Sequence, residues 1–429
     1  MTRTATRGAW PLFVALSFLM VGNGLQSSLV GLRADLEGFS TAITGVVMTG
    51  YYVGFLGGAM LVPRVVGTVG HVRVYSGLAS MGSIALLVYT LFVAPPLWFG
   101  MRVVTGFCMA GLYIVAESWL NGVVSNENRG RVLSIYMVVV SGGLAAGQLL
   151  LNLADPAGFE LFVLASVLVS MAVVPIALAP SNAPAIEPGY ERRLPFRDVF
   201  RIVPLGVSGV AISGISGGAL FGMGAVWAAN SGLGIGRISS FIGLSLIGGM
   251  AFQWPLGALS DRISRRKVLL LATAGAAACA TWLWLLDPSS RWILAAGFGF
   301  GGFSYPMYSL GVSHANDALP PERLVAASAV LMFSNGLGAV LGPASAAFTM
   351  SALGVGGFWL FHIVLHGSFA AFIGYRLVVR RNMAVTKEKF LSVPTRSTWL
   401  AIRLGRDNGA GSPDADAGPT PEPADRARP

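Results

Sequence analysis

Residues 97–122 read LWFGMRVVTGFCMAGLYIVAESWLNG, one arginine and one glutamate in a run otherwise built of apolar, small and weakly polar residues. About 20 such residues, coiled as a helix, cross the ~30 Å hydrocarbon layer of a bilayer. An ionised side chain at that depth costs roughly 2.5 kcal/mol or more, so Glu117 is expected to face a polar interior and to have a task there. At about 100° per residue, Arg102, Gly106, Tyr113 and Glu117 fall within about 60° on one helix face. A rise of ~1.5 Å per residue separates Arg102 from Glu117 by ~22 Å, which excludes a direct ion pair.

The rest of the chain repeats this pattern. Of its 429 residues, 54% are hydrophobic and only 11% charged, where soluble domains carry about 25% charged residues. Apolar runs near 9–31, 41–62, 74–94, 97–121, 132–153, 159–179, 202–228, 238–258, 268–286, 292–313, 324–349 and 356–378 predict an all-α membrane protein with twelve transmembrane helices. No small-x-small cleavage site follows the basic, apolar N-terminus, which reads as an uncleaved first helix. The loops on one side hold only Arg33, Arg237 and Arg291, and Arg102 lies inside a span, so the remainder of the 29 basic residues share the other side. That asymmetry predicts a multi-pass protein of the plasma (inner) membrane with both termini in the cytoplasm. It also makes the net charge of +10 a topology signal, and no nucleic-acid partner is expected.

Chemistry by the chain itself is not expected. Cys108 and Cys279 both sit in apolar runs, no phosphate-binding loop is present, and the spans hold no nucleophile with a base, so the protein is read as no enzyme. His362 and His366 have the i, i+4 spacing of metal ligands but no companion acid or cysteine in their helix. Helix packing is the preferred reading, and no cofactor or metal is expected.

A polar, proline-containing stretch divides the spans six and six. The expected organisation is an N-terminal half over 1–180, a cytoplasmic linker over 181–201, a C-terminal half over 202–380 and a largely disordered cytoplasmic tail over 381–429. The halves echo one another: Trp98 and Trp292 stand 194 positions apart, and Gly147 and Gly342 stand 195 apart. Parallel repeats of this kind place a binding site between the halves near the membrane midplane.

Between the eighth and ninth spans lies GALSDRISRRKV, residues 257–268. It resembles the cytoplasmic signature of the major facilitator superfamily at Gly257, Asp261, Arg262, Arg265 and Arg266, with Ser264 in place of the usual second glycine. The resemblance implies a cytoplasmic gate, in which Asp261 pairs with basic groups and with the N-terminus of a neighbouring helix, the fifth. The first-half copy is degenerate, with Gly67 and Thr68 where Asp261 and Arg262 stand, although Gly70 and Arg73 are kept and His71 is added. Arg102-x-x-x-Gly106 looks like the superfamily's helix 4 motif, whose arginine is linked to proton transfer in proton-coupled members. Gln148 occupies the place where the antiporters carry a proline after glycine, whereas Gly342-Pro343 is kept. The stretches GNGLQSSLVGLRADLEGFS, YYVGFLGG, GHVRVY, AESWLN, NRGRVLSIYMVV and GLAAGQLLLN together resemble the YcaD-like branch, over roughly residues 10 to 380. What this implies is the major facilitator fold, two six-helix pseudo-symmetric halves working as a monomer.

The residues then divide into roles. Glu117 and Arg102 are expected to serve transport and proton coupling, with a structural Glu117 bonded to Asn121 or Arg131 as the alternative. Asn23 and Gln26, three apart on one helix face, are expected with Tyr51, Tyr113, Gln148 and Asn335 in the substrate cavity; buried amides must find partners. The function expected is secondary active transport of a small molecule by alternating access, coupled to protons, with membrane lipid as the surroundings. The alternatives are an exporter of lipophilic or toxic compounds and a non-transporting membrane sensor or scaffold acting through its tail.

Overall fold

The computed structural model describes residues 2–123, 129–178, 195–319 and 321–379. Among these residues there is helix and no strand. In chain order the helices are α1 (Thr2–Leu36), α2 (Thr41–Val69), α3 (His71–Leu91), α4 (Pro95–Val123), α5 (Arg129–Leu149), α6 (Glu160–Met171) and α7 (Val173–Ala177). They continue as α8 (Phe196–Ile202), α9 (Pro204–Asn230), α10 (Ile235–Arg262), α11 (Arg265–Leu285), α12 (Trp292–Ser304), α13 (Met307–Ala318), α14 (Pro321–Leu353) and α15 (Gly357–Val379).

Eleven segments are long and apolar enough to cross a membrane. The twelfth expected span, 292–313, is present as two pieces, α12 and α13, of 13 and 12 residues. The break falls at Pro306, which has no N–H for the Gly302 carbonyl and whose ring crowds the preceding turn. The helical bonds resume with Leu310 N–H donating to the Pro306 carbonyl at 3.0 Å. The end of the segment expected as linker folds as α8, where Phe196 and Phe200 stack at 6.0 Å. Most of the linker and the whole expected tail lie outside the described residues.

The two halves are built alike down to the backbone. A Cβ on Gly54 would collide with the Val103 carbonyl and one on Gly106 with the Tyr51 carbonyl, so α2 and α4 touch main chain to main chain. Gly248 and Gly301 meet the Phe298 and Ser245 carbonyls in the same way between α10 and α12. Each position is repeated 194 or 195 residues on. Without a hydrophobic drive between helices in lipid, such close approach supplies the packing.

The halves meet through α2 on α14, α5 on α10 and α1 on α9. Several of the contacts between them lie at one end of the bundle. There Gly45 lies against Ala347 and Pro343, and Gly31 lies against Val226 and Gly222. Asn152 donates to Ser239 Oγ at 2.8 Å. Asn230, with its amide turned to donate, lies 3.0 and 3.1 Å from the two carboxylate oxygens of Asp35. At the same end Arg33 donates to the carbonyls of Pro156, Ala157 and Gly158, and Arg237 donates to those of Pro288, Ser289 and Ser290. Each arginine thus pins a connection within its own half.

Candidate functional site: a cleft between the halves

Further along α2 and α14 the Leu56 side chain still reaches Gly336, and a cleft lies beside this contact. The cleft between the two helices is lined by Tyr51, Tyr52, Phe55, Leu56 and Ala59 of α2 and by Met332, Asn335, Gly336 and Ala339 of α14, with Tyr308 of α13 completing it. About 500 Å³ there, part of it open to the surroundings, holds no protein atom. Tyr308 lies just beyond the Pro306 break, so the interruption of the span sets its ring against the cleft.

Glu117 is 1% exposed on α4. The Tyr136 hydroxyl of α5 donates to its Oε1 at 2.5 Å, a charge-assisted bond of the stronger kind. Its carboxylate also acts electrostatically on the Tyr308 hydroxyl, across in the other half. Arg102 has a different neighbourhood. Its guanidinium is 2% exposed, lies over the Tyr51 ring at 4.8 Å and acts on the Tyr89 hydroxyl of α3, inside the first half.

The structure brings three of the expected cavity residues together. Asn23 Oδ1 accepts from Gln26 Nε2 at 3.0 Å and from the Tyr51 hydroxyl at 3.3 Å. Asn23 Nδ2 and Gln26 Oε1 have no partner, although both residues are fully buried. Asn335 lines the cleft and donates to the Val210 carbonyl at 3.1 Å. Tyr113 donates to Met20 Sδ at 2.9 Å. Gln148 is placed differently: Nε2 donates to the Gly24 carbonyl at 2.6 Å and to Ser27 at 3.0 Å, and Oε1 accepts from Ser28 at 2.7 Å. Its amide ties α1 to α5 rather than opening to the cleft.

At the end of the bundle away from the Asp35–Asn230 contact, Arg265 is buried and pairs with Asp317 of α13 at 2.5 Å, with Ser260 at 3.2 Å and with Asp261 at 3.6 Å. Gly257 is buried beneath this group, Asp261 and Arg262 are exposed and Arg266 is half-buried. The side chains at the N-terminus of α5, expected to face Asp261, lie outside the described residues, as do those of Asn121 and Arg131. Gly70, kept in the degenerate first-half stretch, joins α2 to α3 at φ +92°, a conformation that favours glycine. His71 after it bonds Ser118 at 3.0 Å. His362 and His366 are enclosed in the second half, both facing Ser216, with Thr273 and Phe300 against them. Among the described residues no group of three or more histidines, cysteines or acids forms a metal-ligand cluster. Sequence reasoning missed Tyr136, Tyr308 and Asp317, the partners of the charges it singled out.

Comparison with known proteins agrees with this architecture. The sequence profile of the Major Facilitator Superfamily matches residues 12–250 and 206–407. The "uncharacterized MFS-type transporter YcaD" of Escherichia fergusonii is 26% identical over 349 residues, 80% of this chain and 89% of the relative. That of Escherichia coli is 27% identical over 365 residues, 81% of this chain and 90% of the relative. Among solved structures, the nucleoside transporter NupG superposes with a TM-score of 0.74 at 12% identity, covering 87% of this chain and 99% of its own. A bacterial homologue of the human lysosomal transporter Spinster, inward-facing and unoccupied, gives 0.64 at 15% identity, covering 95% of this chain and 99% of its own. At such identities the structural likeness speaks for the fold alone.

Proposed function

Because this chain belongs to the Major Facilitator Superfamily and is a multi-pass membrane transporter, we propose that it moves a small molecule by alternating access, with proton exchange at Glu117. The observation that carries this reading is the unequal contact between the halves. They are joined by polar contacts at the end holding Asp35, Asn152, Asn230 and Ser239 and leave a cleft between α2 and α14 further along. A carrier working by alternating access needs two such arrangements, biased by what binds between them. In this reading the joined end is the outer one, and both termini and the group around Arg265 lie in the cytoplasm of an inner-membrane protein; the distribution of basic residues supports that orientation. The halves then run over 1–180 and 202–380, joined by the linker 181–201 and followed by the tail 381–429.

In this reading Glu117 is the coupling group, because it is a buried acid on α4 whose carboxylate is held by the Tyr136 hydroxyl of α5. Arg102 orders Tyr51 and the Asn23–Gln26 pair beside the cleft. Asp261, Arg262, Arg265 and Arg266, with Gly257 and the newly found Asp317, form the cytoplasmic gate.

The test needs no known substrate. In protein lacking Cys108 and Cys279, a single cysteine at Ala59 reports how often the cleft is open, through its rate of labelling by a water-soluble maleimide. The paired substitution Asn152→Cys/Ser239→Cys, oxidised, is expected to hold that rate at its highest value. Reduction is expected to restore a rate that varies with pH, and Glu117→Gln is expected to remove the variation. A rate indifferent to the cross-link would end the alternating-access reading, and a pH response surviving in Glu117→Gln would end the role given to Glu117.

A further inference from the structure

We infer that the second half holds a site for a univalent soft metal ion, copper(I) or its chemical stand-in silver(I), bound between the imidazoles of His362 and His366. The site lies apart from the cleft and does not rest on the transport reading. Five polar side chains meet there: Ser216 of α9, Thr273 of α11, Ser304 of α12 and the two histidines of α15, none more than 3% exposed. The first half is the control for what the fold itself requires. At the positions 194 residues earlier stand Gly22, Ala79, Ala110, Leu168 and Ala172, without one polar side chain. These positions correspond in space as well, since a Cβ on Gly22 would meet the Leu168 Cβ at 3.2 Å, as Ser216 meets His362. Burying hydroxyls and imidazoles costs free energy unless their bonds are met, and the first half packs its helices without them.

The hydrogen bonds assign the tautomers of both rings. Thr273 donates to the His366 carbonyl at 3.1 Å, so it can only accept from His366 Nδ1, 3.3 Å away. His366 Nε2 is therefore an acceptor and takes the Ser216 hydroxyl hydrogen at 3.0 Å. With that hydrogen used, Ser216 accepts from Ser304 at 2.9 Å and from His362 Nδ1 at 3.4 Å. His362 Nε2 is left as a buried lone pair without a partner. Two ring nitrogens, His362 Nδ1 and His366 Nε2, thus converge on one small hydroxyl. An ion between them uses the His366 lone pair directly, while the His362 proton moves from Nδ1 to Nε2, and no proton leaves the site.

The donors set the class of ion. Among the described residues no acid or cysteine completes a cluster with the two histidines, so a divalent ion would bury charge without compensation. Zinc sites also close with further ligands, and calcium and magnesium take shells of oxygen. A univalent soft ion is satisfied by a pair of nitrogen donors in line. Its single charge is attracted by aromatic faces, and the rings of Phe300, Phe358, Trp359 and Phe361 lie 4.9, 5.0, 5.6 and 5.3 Å from the His362 ring, centroid to centroid.

The test uses silver nitrate in chloride-free buffer and the detergent-purified full chain lacking Cys108 and Cys279, prepared without a histidine tag. Bound silver is counted by elemental analysis after equilibrium dialysis. A single silver ion per chain is expected to disappear in His362→Leu/His366→Ala, which takes the residues that the first half already packs at these positions. His366→Gln, which keeps a polar side chain facing Ser216, is expected to lose the same ion and serves where the double variant does not fold. His314→Ala, changing a histidine on α13, should leave the ion in place. Silver should raise the thermal stability of the parent chain but not that of the variants lacking the site, and X-ray absorption should give this ion nitrogen neighbours. Zinc should bind these histidines at least about tenfold more weakly, a difference of about 1.4 kcal/mol. Silver bound equally by the parent and by both histidine variants, no silver bound, an ion with sulfur neighbours alone, or zinc held as tightly as silver would each overturn the inference.

Discussion

Arg102 and Glu117 lie on one face of one helix, yet the structure gives each its own set of tyrosines. Burial of both charges is tolerable only because each finds dipoles or partners nearby. For Glu117 the Tyr136 hydroxyl is such a group, so Tyr136→Phe is expected to cost the ionised carboxylate about 1.5–3 kcal/mol. The pH response of labelling at Ala59 should therefore move in Tyr136→Phe, whereas in Glu117→Gln it should vanish. Asp317 and Arg265 form a second buried partnership, with side chains 6% and 2% exposed. Removing one partner from such a pair typically costs about 3 kcal/mol or more, because the other is left buried and charged. Asp317→Ala should therefore lower thermal stability in detergent clearly. The double variant Asp317→Ala/Arg265→Ala should lose less than the sum of the two single losses. The two charges on α4 were legible in the sequence because they interrupt an apolar run. Their partners were not, because a tyrosine at helical spacing reads as core whether or not its hydroxyl serves a neighbour. Gln148 was legible only in part for the same reason: the spacing shows a buried amide but not that Gly24, Ser27 and Ser28 satisfy it.

Helices were the most legible level, since apolar length is what the bilayer demands of them. What hydropathy does not register is the backbone. The run at 292–313 is apolar throughout its middle, so it was expected as a single span, and the missing N–H of Pro306 divides it. The glycines tell the converse story: visible as a composition, they gain meaning only where two main chains meet. Gly54→Ala and Gly106→Ala should each destabilise the protein by about 1–3 kcal/mol, because the added carbon meets a carbonyl that cannot move aside without its helix. Gly248→Ala and Gly301→Ala should cost a similar amount in the second half, if the repeat carries energy as well as geometry. Gly57 lies on α2 where an added Cβ would meet nothing within 4 Å, so Gly57→Ala should be neutral or stabilising by up to about 1 kcal/mol. Thermal denaturation in one detergent compares all five. A uniform response would mean that these glycines serve helix propensity rather than contact.

At the scale of the whole molecule, the function proposed depends on two arrangements of the halves lying within a few kcal/mol of each other. The contacts that favour the present one include two polar ones at their rim, Asp35 with Asn230 and Asn152 with Ser239. Asn230→Asp keeps the shape of the side chain while turning the first contact from a donor facing a carboxylate into two carboxylates face to face. Like charges at that distance repel by about 1 kcal/mol in water and by more where water is partly excluded. A bias of about 1.4 kcal/mol is a tenfold change in the ratio of two states. Asn230→Asp should therefore open the joined end and close the cleft in a measurable fraction of molecules, slowing labelling at Ala59. Labelling of a cysteine at Ser239 should speed up in step. Lowering the pH should reverse both changes by protonating one of the two facing carboxylates, and Asn230→Leu, which removes the bond without adding charge, should shift them less. If Asn230→Asp speeds labelling at Ser239 while leaving Ala59 unchanged, the two ends open independently, and the halves do not rock as rigid bodies about the cleft.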